Sequence, residues 1–323
     1  MSHTHGVRPL ANDLSSGPTA GNFSADQLSS LVREVIPGSS LLSAVRIAAG
    51  SSSVLTELVV TVSNSTQRLI LRSFVSEWQG TPSAKAKFST LVQSALMASG
   101  VPVPQVIWVD ISGERLGYPS ILETRLRGRV FWPSASKPGA PQQMGRALRT
   151  IHAVAPPKDL PNPSAWVRWT MRSDSGRSGW LHAHPKAGLV AEAISSAAER
   201  PLRRQAVCSH GDFGPGNVLW FRGHLSGIID WETAEQAPPG SDVGACRLDC
   251  FVTGGPAMAE AFLEGYSAEV QDSWYWELLC ALKFVALYRD WLPIWRSFGL
   301  NIDQATARSR IDAAIDDALR RAS

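Results

Sequence analysis

A chain of 323 residues, 44% apolar with a net charge of +3, is longer than one compact core usually supports, so two lobes are expected. Its four cysteines, Cys208, Cys246, Cys250 and Cys280, form no CxxC pair, which argues against a disulfide framework or a thiolate zinc site and fits a reducing, cytoplasmic setting. Residues 1–209 hold 12 acids against 22 Lys and Arg, and residues 210–323 hold 16 against 9; this is either a basic half facing polyphosphate and an acidic half facing a cation, or an uneven solvated surface.

Residues 1–22 lack a continuous apolar run, so they do not read as a secretory leader, and a disordered tail is expected. Order is predicted from Phe23, where Ser24 and Gln27 suit a capping box and Phe23 and Leu28 a hydrophobic staple. Leu28, Leu31, Val32 and Val35 mark one helical face, which Pro37-Gly38 ends. Strands follow at 45–54, 58–62 and 69–72, with a small-residue turn at 49–53 and a Ser63-Asn64-Ser65 turn. The 49–53 turn is either an ordinary hairpin or a place where backbone amides and Ser hydroxyls approach an anion. Arg72, at the end of the third strand, is either a surface charge or a phosphate partner.

A helix is predicted over 85–99 with Phe88, Leu91, Val92, Ala95 and Leu96 inward, stopped by Gly100 and the extended 101–104 segment. Strands are expected at 106–109 and 120–126, and the Pro/Ser/Gly-rich stretch from Gly128 to Pro141 marks the lobe boundary. A helix over 142–154 carries Met144, Leu148 and Ile151. Residues 155–185, with Trp166, Trp169 and Trp180, read as an irregular insertion, followed by a helical stretch within 186–208. Residues 236–241 read as a loop, Asp242 as the cap of a helix to about 251, and three further helices fall near 256–269, 271–297 and 302–321. Residues 274–295 are interrupted by Glu277, Lys283, Arg289, Asp290 and Pro293, against a membrane span. No repeat period emerges. The order is a small β-rich lobe with one long helix, then a larger helical lobe.

Residues 208–232, CSHGDFGPGNVLWFRGHLSGIIDWE, organise the rest. Asp212 and Asn217 lie five apart in a Gly/Pro-rich loop. Two apolar runs about Arg222-Gly223-His224 read as a hairpin, which returns Asp230 to that loop. Two carboxylates and one amide thereby converge, a donor set of the hard oxygens that Mg²⁺ prefers. A turn in which Asp212 and Asn217 only bond backbone is the alternative reading. There is no GxxxxGK[ST] loop, no GxSxG elbow and no basic-aromatic stripe for nucleic acid.

HGDFGPGN fits HxDxxxxN, the catalytic-loop spacing of protein kinases with Gly211 in place of Arg, and Asp230 stands where the Asp of DFG would stand. With GIIDWE, the stretch resembles the aminoglycoside phosphotransferase superfamily over about residues 42–249. The resemblance implies an α+β, bilobal protein-kinase-like fold: a small antiparallel-sheet nucleotide-binding lobe with one long helix, 23–126, and a larger, mainly helical catalytic and substrate-binding lobe, 127–323. It makes Asp212 the catalytic group that orients a substrate hydroxyl, and Asn217 and Asp230 ligands of Mg²⁺ on ATP or GTP. Gly50, Ser51, Ser52 and Ser53 become the phosphate-covering loop, Arg72 the strand-three cation, and the Thr124 carbonyl and Leu126 amide the partners of the base. Asp242 resembles the acid behind the catalytic loop, and His210 is expected to stabilise the loop rather than transfer protons.

Two departures stand out. Arg72 replaces the usual Lys, and the 85–99 helix has no Glu to pair with it, leaving Glu77 as the nearby acid. The implied partner is a hydroxylated small molecule, with neither nucleic acid nor membrane, and a monomer or homodimer is expected. The acidic second half suits an aminoglycoside. Trp274, Trp276, Trp291 and Trp295 either pack in the core or wall a site for a macrolide-like alcohol. A metabolic kinase for an amino alcohol or sugar, and a non-catalytic nucleotide-binding module, are the alternatives.

Overall fold

The computed structural model describes residues 23–47, 53–77, 80–132, 137–162, 184–197 and 200–323. The expected turn at Gly50, Ser51 and Ser52, the tail 1–22, and Trp166, Trp169 and Trp180 lie outside them. Helix α1, Ala25–Val35, starts at the expected capping box, in which the Ser24 and Gln27 side chains bond each other's backbone N–H. Strands β1 (Ser39–Ile47), β2 (Ser53–Val62), β3 (Ser65–Phe74), β4 (Val106–Asp110) and β5 (Ser120–Thr124) form one antiparallel sheet in the order β1-β2-β3-β5-β4. The β2–β3 turn is tighter than three residues. Ser63 and Asn64 both adopt positive φ, 47° and 65°, the geometry that matches strand twist in a two-residue hairpin.

Side chains alternate across these strands, and the register decides what the sheet offers on each face. Leu58, Val60, Leu69, Leu71 and Leu122 pack with Leu28, Leu31 and Val32 of α1. Arg72 pairs with Ile121, and Ile70 with Glu123, so Arg72 and Glu123 share the opposite face.

Helix α2, Pro82–Ala98, is capped by Thr81, whose hydroxyl accepts from the Ala84 N–H. Its inward face shares Val92 and Leu96 with the one the apolar spacing predicts but is rotated from it. Lys85, Ala86, Ser89, Val92, Gln93 and Leu96 are buried, whereas Phe88, Leu91 and Ala95 are only partly covered. The reason is tertiary: α2 packs chiefly against a turn of the second lobe, Trp231–Thr233, more than against any strand of its own sheet.

The second lobe contains α3 (Ala140–His152), α4 (Ala187–Ala197), α5 (Pro239–Gly254), α6 (Pro256–Tyr266), α7 (Ser273–Ser297) and α8 (Gln304–Ala322) around one apolar core. Two small ribbons complete it: β6 (Val207–Ser209) pairs with β9 (Glu235–Ala237), and β7 (Val218–Phe221) with β8 (His224–Ile228). The second ribbon is the expected hairpin, with Arg222 and Gly223 at positive φ in its turn. Helices α3 and α6 meet at Gly145 and Gly265, where a Cβ would lie 2.2 Å from the Phe262 and Gln142 carbonyl oxygens respectively.

Residues 236–241 are not a loop: β9 occupies their start and α5 begins at Pro239. Asp242 therefore sits inside the first turn of α5 and caps nothing. Trp274 and Trp276 are buried core, while Trp291 and Trp295 are partly exposed. All four cysteines are free and buried. Among the described residues, no helix is long and apolar enough to cross a membrane.

Candidate functional site

The loop between β6 and β7 carries His210, Asp212 and Asn217. It turns at Gly211, φ +79°, where a Cβ would lie 2.2 Å from the Thr233 carbonyl oxygen. Asp242 holds the loop from behind: its Oδ2 accepts from the His210 N–H at 2.7 Å and its Oδ1 from the Gly211 N–H at 2.9 Å. His152 Nε2 lies 3.1 Å from the same carboxylate, and its Nδ1 lies 2.8 Å from the Tyr266 hydroxyl. Burial acts to raise the Asp242 pKa, yet the His152 bond and charge, with His210, hold it below the usual carboxylate range. The same carboxylate adds to burial in pushing Cys208 and Tyr266 up to about 12.

His210 stabilises the loop, as expected. Its Nδ1 accepts from the Asp212 N–H at 3.3 Å, which leaves Nε2 to donate to the Ile229 carbonyl at 3.0 Å. Asn217 Nδ2 donates to the Asp212 carbonyl at 2.8 Å and to its carboxylate Oδ2 at 3.0 Å. The Ile229 N–H bonds the Asn217 carbonyl at 3.0 Å, so the hairpin brings Asp230 beside this pair. Asp230 is left-handed, φ 71° and ψ 58°, a conformation that Asp tolerates better than most residues.

The sheet supplies the other half. Arg72 Nη1 donates to Asp230 Oδ1 at 2.8 Å and to Ser53 Oγ at 3.0 Å, and its Nε lies 3.7 Å from Glu123 Oε1. Gln93 of α2 donates to Glu123 Oε2 at 2.8 Å. Arg72 is thus held by Asp230, Glu123 and Ser53. Burial acts to lower the Arg72 pKa, and Asp230, Glu123 and Glu232 outweigh it and raise it. For Glu123 burial dominates, raising its pKa against the pull of Arg72 and Gln93.

Sequence reasoning missed Glu123 as the partner of Arg72 because it read ETRL as a backbone hinge. It also missed Gln93 and Lys85, which an apolar periodicity cannot mark. Thr124 and Leu126 stand farther down the cleft. Thr124 pairs with Leu69, three residues before Arg72 on β3, and its backbone N–H and Oγ1 engage the backbone of Gln105. Leu126 lies against Gly227, where a Cβ would meet its Cδ1 at 2.5 Å.

Among the described residues, no cluster of three or more His, Cys, Asp or Glu side chains forms a metal site by itself. The donors present are one amide and one carboxylate.

The family model described as "Phosphotransferase enzyme family" matches residues 45–280, well over half of the chain. The chain belongs to that family. Over 186 residues it is 31% identical to a homoserine kinase of Pseudomonas aeruginosa, a match covering 53% of this chain and 57% of that protein. It is 25% identical over 193 residues to an aminoglycoside 3'-phosphotransferase of Streptomyces fradiae, covering 54% of this chain and 69% of that one. The chain thus spans only a little over half the length of the homoserine kinases that it matches.

Among solved structures, a spectinomycin phosphotransferase in complex with ADP and spectinomycin aligns with TM-score 0.58 at 15% identity, covering 93% of this chain and 98% of that one. The aminoglycoside phosphotransferase APH(4)-Ia in a ternary complex with ADP and hygromycin B aligns with TM-score 0.57 at 15% identity, covering 90% and 98%. At that identity the likeness shows the fold, the bilobal protein-kinase-like architecture expected from the sequence.

Proposed function

We propose that this member of the family is an O-phosphotransferase that moves the γ-phosphoryl group of ATP or GTP to a hydroxyl of a small molecule. The observation that carries the reading is the junction of Asp212, Asn217, Asp230 and Arg72, made by one loop, one hairpin and one strand from two lobes. Residues 23–126 form the nucleotide-binding lobe and 127–323 the catalytic and substrate-binding lobe. Buried, reduced cysteines support a cytoplasmic setting. The relatives described as ADP and AMP-PNP complexes support a nucleotide donor.

Phosphoryl transfer needs positioning and charge neutralisation more than covalent chemistry. Asp212, oriented by Asn217 Nδ2, aims the acceptor hydroxyl and takes its proton late. Arg72, with Ser53 bonded to it, offers a fixed guanidinium to the phosphates, and Gly50, Ser51 and Ser52 are assigned to the phosphate-covering loop by the sequence resemblance alone. The backbone of Thr124 and Leu126 meets the base. A Mg²⁺ ion fits the donor set: Asn217 spends its amide nitrogen on Asp212, leaving its oxygen for the ion. Asp230 keeps a carboxylate 30% exposed in an otherwise buried cluster, and two hard oxygens suit an ion that completes its shell with phosphate and water. When bound, the ion neutralises charge on the β- and γ-phosphates.

The acceptor is an antibiotic such as an aminoglycoside or macrolide; the acidic residues 210–323, 16 acids against 9 Lys and Arg, favour the cationic aminoglycoside. The 31% identity to homoserine kinases supports a second reading, an amino alcohol of metabolism. A coupled ADP or GDP release screen against aminoglycosides, macrolides, tuberactinomycin-type peptides and amino alcohols decides between them. Asp212→Ala is expected to lower turnover by roughly 10²- to 10⁴-fold with nucleotide affinity little changed, and Asp230→Ala to lose Mg²⁺-dependent nucleotide binding. Retained turnover in Asp212→Ala sinks the assignment of that residue. Nucleotide binding without turnover of any acceptor favours a regulatory module.

A further inference from the structure

The buried face of α2 joins a polar row to the apolar Ala86, Val92 and Leu96. Lys85, Ser89 and Gln93, spaced four apart, are 1%, 2% and 3% exposed, and Lys85 reaches across to the second lobe at Glu232. Gln93 holds Glu123, which flanks Arg72. Lys85, one of the most completely buried long side chains of the molecule, places its Nζ 3.6 Å from Glu232 Oε1 and 3.2 Å from the Ser76 carbonyl. A lysine is seldom buried this far unless it is paired.

Glu232 lies in the Trp231–Thr233 turn, two residues after Asp230, and that turn is the surface on which α2 chiefly packs. The helix of the first lobe is therefore tied by charge to the segment that carries the metal-type carboxylate of the second. The polarity of the tie is the reverse of the missing helix Glu: here the helix contributes the cation.

We propose that Lys85 is a positioning residue for Asp230, acting through Glu232. The inference rests on the reading of Asp230 as a Mg²⁺ ligand. The charge count explains why the tie matters. Arg72 and Lys85 face Glu123, Asp230 and Glu232 in a space where all but the 30% exposed Asp230 carboxylate are buried, a net charge of −1; removing Lys85 makes it −2. A carboxylate stranded in such a site is relieved by moving toward solvent or toward the nearest cation, here Arg72. Either motion shifts the Trp231–Thr233 turn and, with it, the left-handed Asp230. Lys85 thus sets the metal-binding geometry without touching the nucleotide, as residues behind metal ligands do.

The test compares Lys85→Met, Glu232→Gln, the double variant and Lys85→Arg by calorimetry with ADP alone and ADP with Mg²⁺. The Mg²⁺ concentration for half-maximal ADP or GDP release is measured alongside. Lys85→Met is expected to weaken Mg²⁺-dependent binding about tenfold, within the range for residues that support metal ligands, with metal-free ADP affinity unchanged. Lys85→Arg should retain binding, and the double variant should recover most of the loss, because the uncompensated charge is gone.

A purely structural lysine predicts a lower melting temperature with an unaltered Mg²⁺ response in folded Lys85→Met, and that result overturns the proposal. Strictly additive single and double variants overturn it as well. Should Lys85→Met fail to fold, Glu232→Gln, nearly isosteric, carries the same comparison. Asp230→Ala is the reference: if it too leaves Mg²⁺-dependent binding untouched, the reading of the metal site fails, and if it alone abolishes that binding, only the role of Lys85 fails.

Discussion

Gly211 and Asp242 act together on the catalytic loop, one by what it lacks and one by what it accepts. A side chain at 211 would need positive φ and would run into the Thr233 carbonyl. The strained backbone alone costs about 1–3 kcal/mol. Gly211→Ala is expected to lower the melting temperature and turnover together, and a variant with native stability and rate would show that the loop tolerates the displacement. Asp242 works through charge. Its carboxylate has an ordinary pKa of 3.8, lowered in the folded chain, so near that pH the unfolded chain binds more protons and stability rises with pH. Its contribution is complete above about pH 4 and is lost as pH falls through the lowered value. Asp242→Asn should be less stable at pH 7 by about 1.5–3 kcal/mol, the scale of hydrogen bonds to a charged group, and its stability should fall less steeply below pH 4 in urea titrations. An unaltered acid limb would contradict the role. The spacing of His210, Asp212 and Asn217 was legible from residue identities. The role of Asp242 was legible only through the family resemblance, because a carboxylate in a first helical turn looks like a cap until the loop packed against it is known.

The helices of the second lobe are joined by a charge cluster as well as by their apolar faces. Arg247 on α5 bonds Glu277 on α7 at 2.7 Å and Glu260 on α6 at 2.6 Å, and lies 2.9 Å from Asp317 on α8. Glu277 also accepts from Arg321. Burial raises the Glu277 pKa despite both arginines, so the folded chain binds that proton more tightly than the unfolded one, and the penalty of the ionised form grows as pH rises. Arg247→Met should cost up to about 3–5 kcal/mol at neutral pH, because it takes one of two arginines from a carboxylate that is 1% exposed and leaves Arg321 alone to offset it. The loss should shrink as pH is lowered toward the Glu277 pKa, read by chemical denaturation at two pH values; a pH-independent loss would assign the effect to packing. Apolar spacing located α7 and α8 to within a few residues, since their buried faces are mostly aromatic and Leu on α7 and Ile and Ala on α8. It found Val92 and Leu96 on the inward face of α2 but missed Lys85 and Gln93 for the complementary reason: their partners, Glu232 and Glu123, are supplied from elsewhere in the chain.

At the scale of the whole molecule, the two lobes meet through apolar packing of Val92, Leu96, Val101 and Val103 into the second lobe's core and through polar contacts placed at the site itself. Arg72 reaches Asp230, Lys85 reaches Glu232, the Ile228 N–H bonds the Pro102 carbonyl at 2.8 Å, and α2 rests on the Trp231–Thr233 turn. The uneven charge of the sequence, which divides at 209/210 rather than between the lobes, did not show that the joint would be built from ion pairs. Such a joint makes the lobes unfold as one unit and couples that unfolding to ligand. Mg²⁺ with AMP-PNP at a hundred times its Kd should stabilise the native chain by about 2.7 kcal/mol, a shift of roughly 2–4 °C for each kcal/mol in domains of about 150–250 residues. Scanning calorimetry should therefore show a single transition that moves upward as a whole, with the Mg²⁺-dependent part of the shift absent in Asp230→Ala. Two transitions, only one of which responds to nucleotide, would mean that the contacts across the cleft are too weak to join the lobes. In that case the ion pairs at Arg72 and Lys85 would serve the site alone.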